Sequence, residues 1–176
     1  MAMWLCLIFL LLFLAVASTD GFYFHLYKYR LYSRPASRKE HLLHTVNSAL
    51  LPPQIFLMFC ARPQGAWLWV TAVLAIVILG IEIWDVICEP ASRASLGGLT
   101  PAESAMHFFM GVTRSAYVIA FFAPLSWTDF SSEAALFSAP FISQMVGYSV
   151  IVPGIGVAMF HALLWQTGRH ARMEKA

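Results

Sequence analysis

Charge is what this chain most lacks. Asp, Glu, Lys and Arg make up 11% of its 176 residues and hydrophobic residues 60%, whereas a soluble domain carries about 25% charged residues. Water therefore cannot be the solvent for most of its surface. Basic excess is also small, a formal net charge of +2. The basic residues sit in two short clusters beside apolar segments, where anchoring and orientation account for them, and nothing indicates a nucleic-acid partner. Cysteine is sparse too. Cys6, Cys60 and Cys88 lie far apart without C-x-x-C spacing, which excludes a zinc finger or a disulfide framework.

Long apolar runs are what the chain has instead. Five of them, near 3–27, 40–60, 66–88, 102–124 and 139–166, are long enough to cross a hydrocarbon core, which takes roughly 20 helical residues. The expectation is an all-α integral membrane protein of one polytopic domain over 1–176, ending in a short basic tail, 167–176. Helices one to four should form two antiparallel hairpins in a bundle. Ala15-Val16-Ala17 resembles a signal-peptide cleavage site, but no basic residue precedes the first run and it continues into Phe22-Tyr23-Phe24, so retention is expected. Pro52-Pro53 in the second run and Pro153-Gly154 in the fifth should kink or locally unwind those helices.

Lys28, Arg30, Arg34, Arg38 and Lys39 follow the first run, Arg93 follows the third, and Arg169, Arg172 and Lys175 follow the fifth. The positive-inside rule puts these stretches in the cytoplasm, with the N-terminus outside and the C-terminus inside. Five crossings give the same parity. The expected location is a bacterial cytoplasmic membrane, with the lipid bilayer and a lipid-soluble small molecule as partners and other membrane subunits as a further option.

The few polar residues are not scattered on this topology. Asp20 and His25 end the first helix, Glu40, His41 and His44 open the second, and Glu82, Asp85 and Glu89 end the third. Glu103 and His107 open the fourth, and His161 lies near the end of the fifth. In alternating helices, these positions form one layer, and ionisable residues inside a membrane point to function by default. Glu40 and His44 are four apart, as are Glu103 and His107, while Glu82, Asp85 and Glu89 follow an i, i+3, i+7 stripe. This ligand layout resembles the di-iron carboxylate bundles, although their Glu-x-x-His spacing is three rather than four. Glu40, His44, Glu82, Asp85, Glu103 and His107 are the candidate metal ligands, with Asp20, His25, Glu89 and His161 as additional ones. Oxygen and nitrogen donors without thiolate suit two iron ions, or manganese or zinc, ahead of a haem. Arg114, on the face of His107 but deeper, is the candidate for orienting a substrate, with a structural pair to Glu82 as its plainer role.

Pro35-Ala36-Ser37-Arg38 before Glu40 and His44 recurs as Pro90-Ala91-Ser92-Arg93 before Glu103 and His107, the pattern of an internal repeat. Plainer roles compete for several residues. Ser37 with Glu40 and Thr100 with Glu103 read equally well as capping boxes. Arg93, and with less weight Glu89, read as interfacial loop residues. His41 reads as a packing residue and His170 as solvated tail. Asp20 and His25, five apart, lie about 140° apart around an α-helix, so only one should face the layer. The leading functional expectation is a membrane di-iron-type oxidoreductase acting on a lipid-soluble substrate. Its rivals are a divalent-metal or proton transporter and an accessory subunit of a larger membrane complex.

Overall fold

A computed structural model describes residues 2–166; the expected tail and His170 lie outside them. Its helices are α1 (Ala2–Thr19), α2 (Arg38–Ile55), α3 (Ala66–Arg93), α4 (Pro101–Phe122), the short α5 (Trp127–Ser131) and α6 (Phe141–Gln166). π-Helical segments extend α1 through Asp20–Lys28 and α2 through Phe56–Cys60. Five of the resulting rods are long and apolar enough to cross a membrane: Ala2–Lys28, Pro35–Cys60, Ala66–Leu96, Pro101–Phe122 and Phe141–Gln166. Their outward faces are apolar, with Ile76, Ile87, Phe108 and Val152 all exposed, as lipid-facing helices require.

The fold is not wholly helical. Strands β1 (Ala61–Gln64) and β2 (Ala135–Ser138) pair antiparallel, Ala61 opposite Ser138 and Gln64 opposite Ala135. This ribbon ties the α2–α3 connection to the α5–α6 connection, at the end of the bundle away from Asp20 and Glu40. Gly65 makes the turn from β1 into α3 at φ +56° and ψ −128°, a conformation open to glycine at little cost. Its N–H donates to Asp129 O at 2.9 Å. A Cβ there would collide with Ser132 O and come within 2.9 Å of Ala134 N. Gly65→Ala should therefore cost about 1–3 kcal/mol, read as a lower melting temperature in detergent; an unchanged melt would contradict this account of the turn.

Helix packing departs from the expected hairpins. The close pairs are α1 with α4, and α2 with α3 and α6, so the first and second helices are not a packing unit. The apolar core joins Leu7, Leu10 and Phe13 of α1 to Ile55, Met58 and Phe59, Tyr117 of α4 and Val150 of α6. If lipid surrounds the bundle, close van der Waals contact rather than escape from water drives this packing. Gly147 shows how close: a Cβ on it would strike Cys60 Sγ and lie 3.2 Å from Phe59 Cβ.

The two proline sites behave differently. After Pro52-Pro53 the ladder slips to π geometry, and Ser143 of α6 donates to the Phe59 carbonyl at 2.7 Å, so a neighbouring helix satisfies the disturbed backbone. At Pro153 the expected unwinding does not occur, and α6 remains helical throughout. There α6 packs on Pro52 of α2, a Cβ at Gly154 lying 3.5 Å from Pro52 Cγ, an ordinary van der Waals contact.

Candidate metal centre

The layer begins with the π-helix at the end of α1. In α geometry Asp20 and His25 would diverge, but i→i+5 hydrogen bonding brings residues five apart onto one face. Both side chains are buried, and His25 Nε2 lies 3.1 Å from Asp20 Oδ2. The expectation that only one of them faces inward is overturned. A left-handed residue, Arg30 at φ 50°, then turns the chain towards α2.

Arg93 is also misplaced by the sequence reading. Pro90 does not end α3, which continues through it to Arg93. The guanidinium is fully buried rather than lying in an interfacial loop. Nη1 donates to Glu40 Oε2 at 2.7 Å, Nη2 to Glu40 Oε1 at 2.9 Å and Nε to Glu103 Oε1 at 2.6 Å. It is thus a fork between the two repeat-related glutamates, the geometry for which guanidinium is suited. Neither glutamate completes a capping box. Ser37 makes no side-chain cap and instead accepts from Ser92 Oγ at 2.7 Å. Thr100 does accept from Glu103 N–H, but the Glu103 carboxylate turns to Arg93. Glu89 is buried as well, not a loop residue.

Imidazoles and carboxylates alternate around this hub. His25 Nε2 is 3.7 Å from Glu40 Oε1, His44 Nε2 is 4.0 Å from the same oxygen and 3.0 Å from Asp85 Oδ2, and His107 Nε2 is 3.2 Å from Asp20 Oδ1. Glu89 Oε1 lies 2.8 Å from the other nitrogen of His107, though outside good hydrogen-bond direction. Two overlapping donor groups result, Asp20–His25–His107 and His25–Glu40–His44, with the ligand atoms of each within 4.8 Å of one another. The four donor pairs just given that flank His25, at 3.1, 3.7, 4.0 and 3.2 Å, are each closer than about 4.4 Å, twice a metal–ligand bond. One ion can therefore reach both members of each pair. Compared with protein-family models, curated proteins and solved structures, the chain matches none.

Electrostatics favour a cation here. Asp20, Glu40, Glu82, Asp85, Glu89 and Glu103 are all buried, against only Arg93 and Arg114 as buried guanidiniums among the described residues. With neutral histidines, four formal negative charges remain to be balanced, and burying them unbalanced is prohibitive. Two divalent ions would balance them; so would protonated histidines.

Of the other predicted residues, Glu82 stands apart from the imidazoles. Its Oε1 lies 3.4 Å from Arg114 Nε, while Arg114 Nη1 donates to Asn47 Oδ1 at 3.1 Å and the guanidinium covers the Phe13 ring. His161 stacks its ring near His44, 6.3 Å between centroids, and nearer His41, at 5.2 Å. Asn47, Gln54 and Tyr117 were not anticipated. Extending the helix faces would have found them: Glu40, His44, Asn47 and Gln54 lie on one stripe of α2, as Glu103, His107, Arg114 and Tyr117 do on α4. Gln54 and Tyr117 follow Glu40 and Glu103 by the same interval, and they meet, Tyr117 O–H donating to Gln54 Oε1 at 3.3 Å.

Proposed function

We propose that this is an integral membrane protein holding a divalent, iron-type metal ion, and that it acts as an oxidoreductase on a lipid-soluble substrate. The observation that carries the reading is a pair of overlapping donor groups that meet at His25 Nε2, a nitrogen able to serve one ion at a time, inside a layer of six buried carboxylates and two buried guanidiniums. Bound there, iron would supply one-electron redox chemistry. The chain's own residues have separable tasks. His25, His44, His107, Asp20 and Glu40 are the ligands. Glu89 braces the far nitrogen of His107, as outer-shell carboxylates do for metal-bound histidine. Arg93 fixes Glu40 and Glu103, and Arg114 is placed to orient a polar group of the substrate.

The distribution of Lys and Arg supports an outside N-terminus and a cytoplasmic polar layer. Contacts between matched residues, Ser37 with Ser92 and Gln54 with Tyr117, support descent of the two halves from one duplicated unit. A transporter has less support, since beyond Gln54 and Tyr117 the bundle is filled by Ile55, Met58 and Phe59. One rival has an observation of its own. His44–Asp85 at 3.0 Å and His107–Glu89 at 2.8 Å are also imidazolium–carboxylate distances, as expected of an accessory subunit whose ion pairs fix helix packing.

Elemental analysis and an absorption spectrum of the protein purified in detergent separate these readings. At least one equivalent of iron, manganese or zinc per chain, without a Soret band, is the expected result. Metal no higher than background would leave the ion-pair reading standing.

A further inference from the structure

The two donor groups differ in their access to small molecules. The His44 side chain is 22% exposed, whereas that of His107 is 7% and those of Asp20 and Glu40 are 2%. Beside His44 lies a cavity of about 20 Å³, room for roughly one water molecule. Its lining combines His25, Glu40 and His44 with Leu31, Tyr32 and Leu164 and with the rings of His41 and His161. Thus the turn after the π-helix and the end of α6 frame an opening onto one donor group. On the other side, His107 sits between Asp20 and Glu89, with a carboxylate oxygen within 3.2 Å of one ring nitrogen and 2.8 Å of the other.

Structural metal sites are closed, whereas reactive ones keep an exchangeable position. We propose that the His25–Glu40–His44 group holds the exchangeable position, and that the cleft lined by Leu31, Tyr32 and Leu164 delivers to it a small anion or neutral molecule of two or three atoms. The Asp20–His25–His107 group is the closed one. This rests on the metal-binding reading above. The cleft's size limits the ligand: a lipid-soluble substrate lies outside it, and only a molecule of two or three atoms reaches the donor group.

The test uses the full chain in detergent, loaded with cobalt(II) and titrated with azide, with cobalt content measured on every sample. Azide should perturb the cobalt visible bands in the wild type. Leu164→Trp should weaken azide binding by about tenfold or more at unchanged cobalt content. Tyr32→Ala, which widens the cleft, should let imidazole compete where it does not in the wild type; it decides the matter if the tryptophan variant does not fold. The azide response should also survive His107→Ala and vanish in His44→Ala. Equal azide affinity in the wild type and both cleft variants would overturn the proposal, as would loss of the response with His107→Ala but not His44→Ala. Failure to retain any cobalt would refute the metal reading itself, and the content measurement identifies that case.

Discussion

Arg93→Met is expected to lower the stability of the bundle by about 3–5 kcal/mol, the usual result of removing one partner from a buried ion pair. The residue is fully buried and its three guanidinium nitrogens serve two carboxylates, Glu40 and Glu103. Methionine fills much of the volume but leaves both carboxylates without their cation. The cost comes chiefly from those stranded charges rather than from lost packing. Adding Glu40→Gln and Glu103→Gln should therefore recover a large part of it, whereas Arg93→Lys should not, because a single ammonium cannot present the same fork. Thermal unfolding in detergent measures all three. An Arg93→Met melt close to that of the wild type, or a triple variant worse than the single one, would show that Arg93 is not the electrostatic hub.

Removing His25 should affect metal content more than removing either histidine beside it. His44→Ala leaves Asp20, His25 and His107 intact as a three-donor group, and His107→Ala leaves His25, Glu40 and His44. His25→Ala leaves neither. Affinity should then fall by at least the roughly 10–100-fold that loss of a mere outer-shell partner produces, while the other two single variants still retain an ion. Glu89→Gln should lie between these results, acting only through the orientation of His107. Competition with a coloured chelator gives the affinities. If His25→Ala retained metal as well as His107→Ala does, the shared position of His25 would have no role in binding.

The rods and the polar layer could be read from the sequence because they follow from rules with a strong signal: apolar length, and the alternation of helix direction. Glu40, His44, Asp85, Glu103 and His107 were found in this way and do meet at one end of the bundle. Four things escaped that logic. The π-helix at Asp20–Lys28 adds a residue to each turn without any composition that marks it, so a 100° wheel misjudged Asp20 and His25. The third apolar run ends near residue 88, and only the surrounding packing shows that α3 runs on through Pro90 to carry Arg93 inward. Partner choice was invisible as well. Short connections favour neighbouring helices, but α1 lies against α4, and sequence proximity says nothing of that. The β1–β2 ribbon is too short and irregular to leave an alternating pattern.

The two Pro-Ala-Ser-Arg segments do not treat their arginines alike. Arg93 lies buried between Glu40 and Glu103, whereas Arg38 points away and covers the Trp165 ring. Two equivalent halves would have brought two cations to two anions and sealed the interior as a neutral, inert seam. Broken symmetry leaves one arginine to serve both glutamates. The centre of an otherwise oily protein therefore holds one guanidinium for two carboxylates, and the second repeat arginine, Arg38, spends its charge on the Trp165 ring instead.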